Sequence, residues 1–185
     1  SCYASLNKFN WSSKIIPSNQ LKEIFELHIE NTSLEKKLSK TIQSISTTKN
    51  KVSIKVKNQY EENPYPRWTN LGLSVEPKNI IQAVSDSNLN LDLKKIKFSK
   101  MPDILIAGCG TGQHAITTAS KYKDAKIFAL DLSFNSLSYA KRKASELKIH
   151  NINFIQGDLL DIEIMNRKFD LIEVVGVLHH MDDPF

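Results

Sequence analysis

The stretch Ile104-Leu105-Ile106-Ala107-Gly108-Cys109-Gly110-Thr111-Gly112 runs from an apolar segment toward a helical one through three alternate glycines. Glycine lets a backbone turn tightly and lets a ligand approach where a Cβ would stand. The helix that follows opens at Gln113-His114 and offers free backbone N–H groups to an electronegative ligand. The spacing is G-x-G-x-G, with Gln113 where the dinucleotide fingerprint G-x-G-x-x-G places its third glycine. No Lys-Ser or Lys-Thr pair follows the turn, which excludes the phosphate loop of nucleotide hydrolases.

Acidic residues follow at the places where such a turn needs them. Asp131 ends the next apolar segment, 23 residues after Gly108. A carboxylate there accepts hydrogen bonds from both hydroxyls of a ribose; its other possible role is to cap the next helix, for which Ser133 is also available. Asp158, in Gln156-Gly157-Asp158-Leu159, follows the third apolar segment. Two roles are open to it: taking the exocyclic amine of adenine, with Leu159 along the ring, or capping the short helix beyond. His179 and His180 lie just past a fourth apolar segment. Either is a candidate general base, since unperturbed histidine titrates near ~6.5, or else they pack and bond backbone carbonyls. His114 is placed to pack near a ligand.

These residues need a scaffold. Ile104–Ala107, Lys126–Leu130, Ile152–Gln156 and Phe169–Val175 read as strands, separated by helices over Gln113–Lys123 and Ser133–Leu147 and a short helix or turn over Leu159–Met165. Strands alternating with helices imply a parallel sheet with right-handed crossovers, and its carboxyl edge is where ligands bind. Upstream, Leu34, Leu38, Ile42 and Ile45 form a helical stripe reaching about Ser46, with a break and cap expected at Asn31-Thr32-Ser33. Over Lys51–Tyr60, Val52, Val56 and Tyr60 repeat at four and favour helix, although Val52, Ile54 and Val56 also alternate as in a strand. Asn63-Pro64-Tyr65-Pro66 is a rigid linker flanked by Tyr60, Arg67 and Trp68. The aromatic groups either lid a ligand site or, as Trp68 suggests, anchor the linker to the sheet. A short helix is expected at Asn79–Val84, then a polar surface loop over 85–100 anchored by Leu89, Leu91 and Leu93.

Taken together, the constellation resembles the class I S-adenosylmethionine-dependent methyltransferases. The resemblance covers roughly Met101–Phe185 and rests on four stretches in order: Ile104–Gly112 with Gln113-His114, Ala129–Ser133, Asn153–Leu160, and Phe169–Met181. It implies a Rossmann-like, doubly wound α/β fold with S-adenosyl-L-methionine held by Gly108, Cys109, Gly110, Thr111, Gly112, Gln113, His114, Asp131, Leu132, Asp158, Leu159 and Gly176. His179 and His180 would stand nearest the chemistry. The implied activity is methyl transfer, with a small molecule favoured as acceptor. One departure is Ile106, where many members carry an acidic residue; a contact to the methionine amino group from that position must come from elsewhere. The segment Gln59–Trp68, QYEENPYPRW, is similar to one bacterial branch of these enzymes. The family has seven strands, so the chain is expected to be a fragment carrying the first four over 73–185, preceded by a helical extension over 1–72. The last strand would then be an exposed edge inviting association with another chain, with weak turnover.

Two rival readings differ in class. A nicotinamide-dependent oxidoreductase is disfavoured by Gln113 and by the lack of a Tyr-x-x-x-Lys dyad after the fourth strand. A scaffold that binds the cofactor without catalysis would keep every feature named so far.

Composition narrows the rest. The 185 residues are 41% hydrophobic and 24% charged, the balance of a core-forming soluble protein. No run approaches the ~20 apolar residues of a membrane span, and Ser-Cys-Tyr-Ala-Ser-Leu lacks the pattern of a secretory signal. Two distant cysteines, Cys2 and Cys109, give neither a disulfide framework nor a metal site and fit a reducing cytoplasm. The net charge of +5 divides into +7 over 1–101 and −2 over 102–185. Only three of the 25 basic residues are arginine, so the excess makes a poor case for nucleic acid as a partner.

Overall fold

Short apolar segments rich in Ile, Leu and Ala become the centre of a parallel sheet in the computed structural model of the chain, which describes residues 6–74, 76–87, 91–92, 96–97, 99–181 and 183. The helices in chain order are α1 (Lys22–Phe25), α2 (Asn31–Ser39), α3 (Lys51–Glu62), α4 (Ile80–Ser85), α5 (Gln113–Lys121) and α6 (Phe134–Glu146). The strands are β1 (Gln43–Ser44), β2 (Asp103–Ala107), β3 (Lys126–Asp131), β4 (Ile152–Gln156) and β5 (Leu171–Val174). All pairings are parallel, in the order β1-β4-β3-β2-β5.

Alternation along each strand divides the core between the two faces of the sheet. Ile104, Ile106, Ile127 and Ala129 pack toward Ala115 and Ala119 of α5 and Leu137 of α6. Leu105, Ala107, Phe128 and Leu130 pack on the other face against Ile162, Met165 and Phe169. Burying each such aliphatic side chain is worth about 1.5–3 kcal/mol, which is why β2 and β3 hold the centre and β5 an edge. Ile172 and Val175 are 55% and 65% exposed there.

Two expectations for the first half require correction. No break occurs at Asn31-Thr32-Ser33: α1 runs through a π turn (Glu26–Glu30) directly into α2. Thr32 Oγ1 donates back to the His28 carbonyl at 3.3 Å, which keeps it inside the helix instead of capping a new one. The stripe also does not carry the helix to Ser46. It stops at Ser39, and Gln43–Ser44 lies along β4 as a fifth strand. Ser44 Oγ donates to the buried Gln156 at 2.6 Å, and Ile42 enters the core, so tertiary pairing outweighs the local period. The helix over Lys51–Tyr60 is present and extends to Glu62, with Asn50 capping Val52 N and Ser53 N. Within the loop 85–100, residues 88–90, 93–95 and 98, including Leu89 and Leu93, lie outside the described residues.

The first half docks on α6 through a charge cluster. Glu35 of α2 is buried and accepts from Arg142 Nε at 2.9 Å and Arg67 Nη2 at 3.0 Å. Arg142 is also buried and pairs with Glu146 one turn along α6. Removing Glu35 leaves the buried Arg142 guanidinium with Glu146 as its remaining carboxylate, and breaking a buried pair costs more than the pair contributes. Glu35→Ala is therefore expected to lower unfolding free energy by about 3 kcal/mol, read as a lower urea midpoint, and a second change, Arg142→Met, should recover part of the loss. Wild-type stability in the single variant would contradict this account.

Candidate functional site

The three crossovers that leave β2, β3 and β4 start from the same edge of the sheet. They enclose one side of a cavity of about 560 Å³. The turn after β2 is held to β3, because Gly108 N and Cys109 N both donate to the Leu130 carbonyl at 2.8 and 3.0 Å. Asp131 then joins the two crossovers. Its Oδ2 accepts from Gly110 N at 2.8 Å and its Oδ1 from Ser133 N at 2.9 Å. Ser133, not Asp131, caps α6 through Ser136 N at 3.0 Å.

Gly110 and Gly112 do different work. A Cβ on Gly112 would stand 2.4 Å from the Ala140 Cβ, so this glycine allows α5 and α6 to approach. A Cβ on Gly110 would meet nothing nearer than the Tyr65 carbonyl at 3.9 Å. Space is kept open above Gly110, and the protein itself does not fill it.

Electrostatics follow burial. Burial pushes the Asp131 carboxyl above its ordinary range, against the pull of the Ser133 and Gly110 N–H groups, and the Glu61 charge adds to the rise. Burial also pushes the Cys109 thiol well up, with Asp131 adding to it, so Cys109 stays protonated and unreactive. Glu173 on β5 goes the other way. Burial raises it, but hydrogen bonds from His114 and Thr118 outweigh that and leave its carboxyl below the usual value.

Of the residues singled out by sequence, Gly108, Cys109, Gly110, Thr111, Gln113 and His114 line the cavity from the first crossover. Asp131, Leu132, Asp158, Leu159, Gly176 and His180 line it from the others. Gly112 and His179 are not part of its wall. Asp158 does cap, since its Oδ1 accepts from Leu160 N at 3.1 Å, and it also faces the cavity. His180 stands edge-on to Tyr60, with ring centres 6.3 Å apart, and against His179 at 4.0 Å.

Apart from Tyr60, which the sequence offered as a possible lid, two contributions were not read from sequence. Val52, Ser53, Val56 and Tyr60 of α3 form the opposite wall of the cavity; their spacing of four signals a helix face but not what it covers. Glu173 is the register partner of Ile106 and reaches His114 Nε2 at 2.8 Å and Thr118 Oγ1 at 2.8 Å. Glu173 thus places a carboxylate on β5 beside Ile106, outside the wall of the cavity. A lone charge inside an apolar strand was its only trace. Among the described residues, no group of three or more His, Cys, Asp or Glu is placed to hold a metal ion, and no helix is long and apolar enough to cross a membrane.

Comparison with known proteins shows what this geometry is similar to. Residues 104–185 match the family described as "Methyltransferase domain". An uncharacterized protein of Synechococcus is 39% identical over 84 residues, covering 45% of this chain and 20% of that protein. N-methyltransferase 4 of Papaver somniferum is 32% identical over 92 residues, covering 49% of this chain and 26% of its own length. Among solved structures, an S-adenosylmethionine-dependent methyltransferase from Clostridium acetobutylicum is 28% identical, covering 56% of this chain and 37% of that one, with a TM-score of 0.43. The chain spans less than a third of the length of the two relatives named. The strand–glycine turn–helix unit with Asp131 and Asp158 falls within the matched residues, and over 104–185 this chain is similar to a methyltransferase domain.

Proposed function

We propose that the cavity is the S-adenosylmethionine site, and that the protein to which this chain belongs transfers the methyl group to a small-molecule acceptor. One observation carries the reading: Asp131 sits at the cavity wall with both oxygens aimed by backbone donors, beside a glycine whose missing side chain leaves the space above it open. The residues present fit the cofactor. Asp131 takes the ribose hydroxyls, whose bonds offset the cost of a partly desolvated carboxylate. Asp158 and Leu159 flank the adenine, and Gly110 and Gly176 let the chain of the ligand pass close to backbone. His114, steadied by Glu173, stands at the methionine end.

When bound, the cofactor supplies a methyl group on a cationic sulfur, already activated for in-line displacement. The chain's own part is then to align, to exclude water and, where the acceptor holds a proton, to remove it. His180, at the cavity wall against Tyr60, is the group for that last task; His179 supports it from outside. The apolar wall of α3, with Val52 and Val56, favours a compact acceptor over a polymer and limits solvent entry. The cytoplasm suits such an activity and the free thiol of Cys109. Gln113 at the position of the third fingerprint glycine argues against the nicotinamide alternative.

Gly110→Val tests the open space. A side chain at a positive φ costs about 1–2 kcal/mol, so the variant should still unfold cooperatively, while isothermal titration should show no binding of S-adenosylhomocysteine. Intact binding would move the site elsewhere.

Acidification tests Asp131. Protonation removes the charge that accepts the ribose hydroxyls, and its raised pKa brings that loss above the ordinary carboxylate value of 3.8. Affinity for S-adenosylhomocysteine is expected to fall as pH drops toward that midpoint while circular dichroism still reports a folded chain. Asp131→Ala should lose roughly 1.5–3 kcal/mol of binding at neutral pH and flatten the profile. An unchanged affinity in that variant would remove Asp131 from the site.

A further inference from the structure

The segment Tyr60–Trp68 touches the cofactor site at both of its backbone corners. Thr111, buried in the glycine turn, is gripped from two directions: its Oγ1 donates to the Pro66 carbonyl at 2.6 Å, and its own carbonyl accepts from Trp68 Nε1 at 3.1 Å. At the other corner, the Glu61 carboxylate accepts from Phe134 N at 2.7 Å and Asn135 N at 3.1 Å, the free donors that open α6. Ser133 Oγ donates to the Tyr60 carbonyl at 3.2 Å, and Asn135 Nδ2 to the Glu61 carbonyl at 2.7 Å. Asp131 lies between the two corners, bonded to Gly110 on one side and Ser133 on the other.

The segment is itself anchored away from the cavity. Trp68 is buried edge-on against Tyr139, whose hydroxyl donates to the Trp68 carbonyl, and Arg67 pairs with Glu35. Tyr65, between the two grips, is 74% exposed at the cavity rim. A turn with three glycines in five residues has many conformations to lose, so it needs external partners to hold one of them. Asp131 supplies one partner, at Gly110. Pro66 and Trp68 supply two more, at the adjoining residue.

We propose that Tyr60–Trp68 is a strap that sets cofactor affinity: Thr111, Trp68 and Glu61 are positioning residues that hold the glycine turn and the α6 corner in the arrangement that receives the ligand. This rests on the cofactor reading given above. By linkage, ligand binding must tighten the strap by the same factor with which the strap tightens binding.

The test uses the full chain and S-adenosylhomocysteine, with affinity from isothermal titration and stability from urea unfolding. Thr111→Val removes one hydroxyl at nearly constant shape, and Trp68→Phe removes one indole N–H while leaving an aromatic ring against Tyr139. Each is expected to weaken binding about fivefold to tenfold, the range for one hydrogen bond. Ile80→Ala, a core cavity on α4 away from the strap, serves as the control. It should lower stability at least as much and leave affinity alone, which separates positioning from general destabilisation. In the wild-type chain, bound S-adenosylhomocysteine should slow hydrogen exchange at the Trp68 indole. Wild-type binding with unchanged affinity in both variants, or a loss no larger than that of Ile80→Ala, would overturn the strap alone. A wild-type chain that does not bind would overturn the cofactor reading and the strap with it.

Discussion

A half-buried carboxylate held between the backbone N–H groups of Gly110 and Ser133 organises this molecule. Asp131 bonds Gly110 and Ser133, which stand near the start of two different crossovers. Removing a charge from water is expensive, and here hydrogen bonds from fixed donors only partly offset it, which is why its carboxyl stays above the ordinary range. The arrangement is useful because it is incomplete. A carboxylate has more acceptor positions than these donors fill, and Asp131 stands at the wall of the cavity.

Everything that positions Asp131 comes from the register of the sheet. β3 pairs with β2 along its length, bringing Ala107 level with Leu130, so the glycine turn leaves beside the carboxylate. β4 pairs with β3 up to Asp131 and Gln156, and Gly157 N donates to the Asp131 carbonyl at 3.0 Å, bringing Asp158 to the same edge. The first half of the chain then closes the cavity from the other side. It adds β1 to the sheet, the Glu35 cluster to α6, and α3 with its strap to the mouth. These parts pack against the strands, and Asn50, Val52, Ser53, Val56, Tyr60, Tyr65 and Pro66 line the cavity from that side.

How much of this a sequence could show follows from the range of the interactions. β2, β3 and the helices after them were legible because burial on both faces leaves a dense apolar run bounded by glycine or a cap. The glycine turn, Asp131 and Asp158 were legible because each follows its strand directly. β1 was not. Two residues of strand carry no periodicity, and Ser44 meets its partner, Gln156, 112 positions later. Glu35 looks like one more charge on a polar helix until Arg142 arrives from α6. Thr111 looks like a spacer between glycines until Pro66 and Trp68 close on it. Pairings between distant side chains leave no mark on either local pattern, and Glu173, in register with Ile106, left only a lone charge in an apolar strand.

The claim that the cavity beside Asp131 receives S-adenosylmethionine is tested most directly by following backbone amide resonances of the wild-type chain during titration with S-adenosylhomocysteine. The account predicts saturable shifts concentrated at Gly110, Leu132, Gly157 and Gly176, the backbone of the crossovers around the cavity, with smaller ones at Val56 and Tyr60 of α3. Shifts absent at saturating ligand, or confined to another face of the sheet, would contradict it.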